Sequence, residues 1–257
     1  MTSATRNFDV FEFDIRWHLK NDLLSQSVQR RIRGWIRSGL IVAVWMGPPC
    51  NSFSRARDRP GGPPPLRSDE HPNGLPNLAP HDAEKVRCGN TLARFSISIF
   101  QCCAYLQVPA TIENPETSRL WKLESFQTAR LTSRTTWTST DFCQDGTPWR
   151  KRTAFLSTQL HHVAGRVVNY NAPEMRDFNA PFVRRSLMEA AMRKCDGHTA
   201  DLTSRRKCCS RSHRPHQLLR GIQPSTGRFF TIVAEPYPRG LCRRLVQAYT
   251  LAIEQKK

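Results

Sequence analysis

An apolar run that ends in a rigid turn constrains the fold of this chain more than any other segment. Residues 40–46 read LIVAVWM, and Gly47-Pro48-Pro49-Cys50 follows at once. A continuous apolar run of this kind is typical of a strand that is buried on both faces of a parallel sheet. Two consecutive prolines fix the backbone and cannot donate to a sheet ladder, so the strand must end before them. The sequence therefore predicts a stiff turn that carries Cys50 just past a strand.

The elements around this strand alternate between strand and helix. Residues 8–14 alternate apolar and acidic side chains and predict a short strand, whereas residues 23–38 carry apolar side chains at helical spacing. Gly39 follows as the residue that ends this helix. A second helix is predicted over residues 90–106 and a strand over 108–112. This order predicts an α/β fold with a doubly wound sheet, in which ligands bind at the carboxyl ends of the strands.

The rest of the chain has a weaker pattern. Residues 54–86 are rich in proline, glycine and charge and predict a long loop. Two further strands are predicted over residues 135–142 and 153–158. A strand over residues 229–234 and a helix over 241–253 are predicted near the end of the sequence.

The charge of the chain indicates an anionic partner. Lys and Arg number 39 against 21 Asp and Glu, which gives a formal net charge of +18. An excess of this size is typical of proteins that bind phosphate polyanions, and an inert basic surface is the alternative. Arg205, Arg206 and Lys207 begin a basic run for which we expect phosphate contacts, with ordinary solvated surface as the competing interpretation.

Composition also bears on the compartment and on metal binding. The longest apolar stretch, near residues 39–47, is much shorter than the roughly 20 residues that span a bilayer, and the N-terminus has no apolar signal core. We therefore expect a soluble intracellular protein with no membrane partner. Nine cysteines at irregular spacings indicate thiols, and the Cys and His residues of 195–216 match no usual zinc spacing. No metal is predicted.

Cys50 and Glu113 each follow the end of a predicted strand. The pKa of a thiol in such a position can be lowered by a helix N-terminus or by nearby arginines, and Arg55 and Arg57 are close in sequence. A carboxylate at a neighbouring strand end can supply or accept a proton. Spacing alone leaves open a loop cysteine and a solvated glutamate without chemical roles.

Three ordered motifs resemble those of the DNA (cytosine-5) methyltransferase family. Residues 47–54, GPPCNSFS, are similar to its catalytic motif. Residues 112–115, IENP, resemble its Glu-Asn motif, with proline where valine is commoner. Residues 146–153, GTPWRKRT, resemble its basic motif, in which Arg150 and Arg152 fall at the two arginine positions and a proline replaces the glutamine.

The resemblance implies a covalent reaction on a flipped-out cytosine. Cys50 is expected to add to C6 of the base while Glu113 protonates or hydrogen-bonds N3. Arg152 is expected to hold the O2 edge, with Arg150 in support. Polar residues near the first two motifs are expected to contact nucleic acid: Ser54, Arg55, Arg57 and Asn114.

The resemblance also implies S-adenosylmethionine as the methyl donor. Residues 11–14, FEFD, are similar to a segment in which an acidic residue holds the ribose and an aromatic residue packs on adenine. Glu12, Phe13, Asp22 and Pro48 are the residues expected to bind the cofactor. The glycine-rich turn of the family's first motif has no counterpart in the sequence, which predicts weak cofactor binding or none.

The same resemblance suggests how the chain is organised. We expect a partial Rossmann-like catalytic core over 1–158 that lacks the first strand, a variable basic lobe and possible target-recognition region over 159–227, and a strand and helix over 228–257 that return to the core. Residues 237–242, YPRGLC, resemble a C-terminal segment of the family's divergent group. Two functions stay open: an N-terminally incomplete DNA methyltransferase, or an inactive nucleic-acid-binding remnant from a mobile element. RNA stays open as the polymer and the oligomeric state is undetermined; a eukaryotic source would imply the nucleus.

Overall fold

A computed structural model describes residues 9–60, 62–145, 147, 149–160, 162–163, 166–167, 222–223, 228–229 and 237–254. The helices are α1 (Gln26–Arg37), α2 (Pro80–Tyr105), α3 (Glu124–Arg130) and α4 (Arg239–Glu254). The longer strands are β1 (Val44–Met46), β2 (Ala110–Pro115), β3 (Thr135–Asp141) and β4 (Arg152–Thr158). Short strands form two antiparallel pairs, β5 (His162–Val163) with β6 (Arg166–Val167), and β7 (Ile222–Gln223) with β8 (Arg228–Phe229). Among the described residues, no helix combines the length and apolar character needed to cross a membrane.

The four longer strands form one mixed sheet in the order β1-β2-β4-β3. β1 and β2 are parallel, whereas β4 runs antiparallel to both β2 and β3. The carboxyl ends of β1, β2 and β3 therefore meet the amino end of β4 along one side of the sheet, which we call the carboxyl edge. The predicted α/β class is confirmed, with helices connecting and covering a small open sheet.

Two buried clusters cover the two faces of this sheet. Successive residues of a strand point to opposite faces, and β4 follows this rule: Leu156 packs with α2, whereas Phe155 packs with α4. Ile99 and Phe100 of α2 are at most 2% exposed in the first cluster. Each such side chain contributes about 1.5–3 kcal/mol through burial of its apolar surface. The sheet is thus held from both sides, and the carboxyl edge lies on a rigid support.

Several predicted elements are confirmed with shifted ends. α1 ends before Gly39, whose φ of +77° is the left-handed conformation that glycine adopts easily. The predicted strands over 135–142 and 153–158 and the predicted C-terminal helix are present within two residues of their expected ends. α2 begins at Pro80, well before the expected residue 90, because proline is favoured in a first helical turn, where its missing N–H needs no partner.

Two strand predictions near the N-terminus need correction. The run over 40–46 is a strand only from Val44, and Leu40 is 71% exposed, so this run is not buried on both faces. Residues 9–14 form no strand, because the rings of Phe11 and Phe13 pack against Trp35 of α1 instead of joining a ladder.

Other sequence predictions lie outside the described residues. These are the basic run that includes Arg205, Arg206 and Lys207, the Cys and His residues of 195–216, and residues 230–234 of the last predicted strand. Within that strand only Phe229 is described, as the end of β8.

Two leucines provide a matched test of this packing. Leu156 is fully buried in the sheet and Leu131 is 82% exposed after α3. We expect Leu156→Ala to lower the free energy of unfolding by about 2–5 kcal/mol, because it opens a cavity in the core. Leu131→Ala is expected to change it by less than about 0.5 kcal/mol. Urea unfolding followed by circular dichroism measures both values, and equal losses would contradict the burial pattern.

Candidate active site

The carboxyl edge brings together the residues of all three sequence motifs. The parallel register pairs Met46 with Ile112, so the first residue of the β1 turn, Gly47, lies beside Glu113. β2 and β4 pair Glu113 with Phe155, and β3 and β4 pair Asp141 with Arg152. The order of the motifs in the sequence does not predict this arrangement, because the arrangement depends on β4 lying between β2 and β3.

The turn that carries Cys50 is anchored on both sides of the cysteine. The buried Asn114 amide donates from Nδ2 to the carbonyl oxygen of Pro48 at 2.8 Å. On the other side, the Phe53 N–H donates to the Cys50 carbonyl at 3.0 Å. The Cys50 thiol itself is half-buried. Asn114, predicted to contact nucleic acid, therefore holds the turn through one end of its amide, and its Oδ1 makes no hydrogen bond within the described residues.

The buried Glu113 lies beside this turn and is paired with the partly buried Tyr237. The Tyr237 hydroxyl donates to Glu113 Oε2 at 2.6 Å, and Glu113 is only 6% exposed. Burial raises the pKa of Glu113 above its usual value, and the Lys151 ammonium and the hydroxyls of Tyr237 and Thr153 oppose that shift only in part. The pKa of Tyr237 is also well above its usual value, because of burial first and the Glu113 carboxyl second. Glu113 therefore keeps its proton to a higher pH than an exposed glutamate does.

Gly47 allows this close arrangement. A Cβ at Gly47 would lie 3.2 Å from the Tyr237 hydroxyl and 3.7 Å from Glu113 Oε2. Any side chain there would press on the hydrogen-bonded pair. Tyr237 was not predicted as a site residue, and the only sequence signal for it was the loose resemblance of residues 237–242.

Arg150 and Arg152 lie at the carboxyl edge in a cluster of charges. Arg150 Nε donates to Oδ1 of the buried Asp141 at 2.9 Å. Arg152 forms an ion pair with Glu116, and its Nη1 lies 3.6 Å from Asp141 Oδ2. The two guanidinium groups are 31% and 27% exposed, so they remain accessible from solvent. Asp141 and Glu116, which the sequence motifs do not include, set the positions of both arginines.

A buried arginine braces the loop that follows Cys50. Arg67 is 1% exposed, donates to Ser52 Oγ at 3.0 Å, and also donates to Asn90 Oδ1 of α2 at 2.7 Å. Its guanidinium lies 3.6 Å from the ring centroid of Phe53. Burial lowers the pKa of Arg67 to about 10, which leaves it charged at neutral pH. Arg67 thus ties the Cys50 loop to α2, a contact for which the sequence holds no signal.

The other residues predicted to contact nucleic acid lie in the same loop. Ser54 Oγ accepts a backbone N–H two residues on, and Arg57 donates to two backbone carbonyls of the loop. Arg55 forms an ion pair with Asp69. These contacts shape the loop, and binding of nucleic acid by its side chains stays a prediction.

The residues predicted to bind S-adenosylmethionine take part in separate local contacts. Glu12 is exposed, and the ring of Phe13 packs against Trp35. Asp22 Oδ1 accepts the Leu24 N–H at 2.8 Å and so closes a turn before α1. Pro48 is buried in the Cys50 turn, and two surface cavities of about 510 and 320 Å³ include none of these four predicted residues in their walls. Neither of these two cavities therefore gathers the residues that the sequence predicts for the cofactor.

Removal of the Arg67 guanidinium is expected to loosen the Cys50 loop. Arg67→Met should lower the free energy of unfolding by about 2–4 kcal/mol, because each buried acceptor left unsatisfied costs about 1–3 kcal/mol. Because the loop is held less firmly, the variant should also raise the rate at which iodoacetamide alkylates Cys50. Mass spectrometry on the native protein measures this rate. Arg33 is the matched control, since it donates to Ser98 Oγ and lies over a phenylalanine ring away from this loop. If Arg33→Met changed the alkylation rate of Cys50 as much as Arg67→Met does, the bracing role of Arg67 would be contradicted.

The raised pKa of Glu113 predicts a pH-dependent cost of folding. Below the ordinary value of 4.5 the carboxyl is protonated in both the folded and the unfolded chain. Above it the unfolded chain releases a proton that the folded chain retains, so stability falls as the pH rises through this window. We expect Glu113→Gln to gain stability relative to the wild type as the pH rises above 4.5, measured by urea unfolding.

Glu84 provides a control of opposite sign for this experiment. The neighbouring Arg87 holds the pKa of the exposed Glu84 at about 2. The stability contributed by Glu84 is therefore present above its ordinary pKa and is lost as the pH falls. Glu84→Gln should be slightly less stable than the wild type at neutral pH. If the stability difference from the wild type changed with pH in the same direction for both variants, the environment of Glu113 would not be the cause of that change.

Comparison with known proteins finds no relative of this chain. No family model, no curated protein and no solved structure matches the chain. The chemistry proposed for the site therefore depends on its motifs and on the side chains gathered at the carboxyl edge.

Proposed function

We propose that this chain carries the cytosine-activating site of a DNA (cytosine-5) methyltransferase, with Cys50 as the nucleophile. The observation that supports it most is the anchored Cys50 turn beside the buried, proton-retaining Glu113. In this proposal the sheet is part of a Rossmann-like doubly wound fold, and the parallel unit β1-α2-β2 is the described portion that fits such a fold.

Cytosine C5 is a poor nucleophile until a thiolate has added to the ring. The Cys50 sulfur forms a bond to C6, the electron pair of the C5–C6 double bond moves to C4–C5, and the pair of the C4–N3 double bond moves to N3. Glu113 supplies the proton that N3 then needs, which is general acid catalysis of a nucleophilic addition. The product is an enamine whose C5 can attack an electrophile or take a proton.

Arg150 and Arg152 are the proposed contacts for the O2 edge of the base. A guanidinium presents several N–H donors in a planar fork, which suits a carbonyl oxygen and a nearby phosphate. The carboxylates of Asp141 and Glu116 fix both arginines beside β2, at the edge that also carries Glu113. The base must leave the duplex to reach the thiol, and the net charge of +18 supports binding of the DNA backbone around it.

S-adenosylmethionine is the methyl donor that the family resemblance implies. Since neither cavity described above includes the residues predicted to hold it, the proposed reaction extends only as far as the activated cytosine. The Phe13 ring already packs against Trp35 and Asp22 Oδ1 already accepts the Leu24 N–H, which favours the second candidate, a protein that binds DNA without methylating it. In a eukaryotic cell either function would place the protein in the nucleus.

Exchange of the hydrogen at cytosine C5 tests the addition step without a methyl donor. The thiolate adds to C6, water protonates C5, the tritium leaves C5 as a hydrogen ion taken up by water, and expulsion of the thiolate restores the C5–C6 double bond. We expect DNA with cytosine tritiated at C5 to release tritium into water, Cys50→Ala to abolish the release, and Cys88→Ala to preserve it. Cys88 is the matched control because it lies half-buried on α2, where its thiol donates a hydrogen bond to Glu84.

DNA containing 5-fluorocytosine, incubated with S-adenosylmethionine, tests the complete reaction. A covalent adduct that depends on Cys50 would support the methyltransferase. An adduct that survives Cys50→Ala would contradict the choice of nucleophile. Tight binding of DNA with neither exchange nor adduct would favour the non-enzymatic candidate, and exchange on RNA alone would reassign the polymer.

A further inference from the structure

Tyr237 is a partly buried titratable residue that has no part in the reaction proposed above. It lies 124 residues after Glu113, and its hydroxyl donates to Glu113 Oε2 at 2.6 Å. Close approach to this hydroxyl is possible because Gly47, at the start of the Cys50 turn, has no side chain. Tyr237 thus contacts the proposed acid and borders the turn of the proposed nucleophile.

The position of the Tyr237 ring is set by aromatic packing. It meets the ring of Trp45 edge-on with centroids 5.6 Å apart, and the ring of Phe142 lies at 6.1 Å. α4 begins two residues later and buries Leu241 in the same cluster. Since β1, the end of β3 and α4 all hold this ring, the hydroxyl is directed at Glu113 by the fold and not by the hydrogen bond alone.

The direction of this hydrogen bond determines which oxygen of Glu113 can carry the acidic proton. Oε2 accepts from the tyrosine, so in the protonated acid Oε2 is the carbonyl oxygen and the proton resides on Oε1. Oε1 is buried and makes no hydrogen bond within the described residues, although the Thr153 hydroxyl is near enough to the carboxyl to favour its charged form. A buried donor without an acceptor is costly, so this proton is available to a ligand that brings one.

We propose that Tyr237 is a positioning residue that occupies Oε2 of Glu113 and thereby presents the proton on Oε1 to N3 of the target cytosine. This inference rests on the proposed function, because it identifies N3 of cytosine as the ligand atom that accepts the proton on Oε1. It makes the C-terminal segment part of the active site, whereas the sequence motifs placed the chemistry within the first 152 residues.

Other charged groups face the same pair and bear on its titration. Lys151, which precedes β4, favours the charged form of Glu113, and the Cys50 thiolate would disfavour ionisation of Tyr237. The ion cluster of Asp141, Arg150 and Arg152 lies at the ends of β3 and β4. Against this background the Tyr237 hydroxyl stabilises the ionised carboxylate, so its removal raises the pKa of Glu113 further.

The pH dependence of tritium exchange in the full chain tests the inference. Exchange requires both the Cys50 thiolate and protonated Glu113, so the ionisation of Glu113 sets one limb of the pH profile. We expect Tyr237→Phe to reduce the maximal exchange rate by about 10- to 100-fold, because the acid is no longer held in its reactive orientation. The limb that Glu113 sets should move to higher pH, a shift that a merely structural role would not produce.

Tyr249→Phe is the matched control. Tyr249 lies on α4, and its hydroxyl donates to the carbonyl of Val44 at 3.0 Å. The variant loses the same group from the same C-terminal segment but leaves Glu113 untouched. It should retain the wild-type rate and pH profile, and an equal shift in both variants would overturn the inference.

A titration without substrate separates this inference from the proposed function. The stability difference between E113Q and its parent is measured against pH in the wild-type and the Y237F backgrounds. In the Y237F background this difference should continue to grow to higher pH. Absence of exchange in the wild type together with that shift would reject the proposed function and retain the Tyr237–Glu113 coupling. An unchanged difference would overturn the inference whatever the exchange results.

Discussion

The parallel pairing of β1 with β2 is the constraint on which the rest of the site depends. It directs the ends of both strands to the same edge, so a turn stiffened by two prolines lies beside a buried glutamate. The Asn114 amide then joins the two strand ends by donating to the Pro48 carbonyl. Without that register, Cys50 and Glu113 would be two unrelated residues 63 positions apart (113 − 50).

The carboxyl edge holds two buried carboxyl groups in different surroundings. Glu113 receives a neutral hydroxyl and little solvent, so burial dominates and its pKa rises. Asp141 lies between two guanidinium groups that balance its charge. One group is therefore suited to deliver a proton and the other to orient arginines, a division of roles that depends on environment rather than on residue type.

The periodicity of apolar residues predicted most of the fold around this edge. It succeeded for α1, β3, β4 and α4, where the pattern spans the element and a neighbouring element buries it. It failed for residues 9–14, because alternation shows which side chains share a face but not whether another strand is present to pair. It also missed residues 80–89 of α2, nearly three turns, most of which lie in the segment 54–86 that is rich in proline, glycine and charge.

The order of residues along the chain already places a thiol after β1, a Glu-Asn pair near the end of β2, and two arginines around the start of β4. These features are local, since a strand, its turn and the next residues are contiguous in the chain. The hydrogen bond from Tyr237 to Glu113 and the bracing of the Cys50 loop by Arg67 are visible only in the folded protein. Those outcomes depend on contacts between distant segments, whose geometry is set by packing and hydrogen bonding across the whole fold.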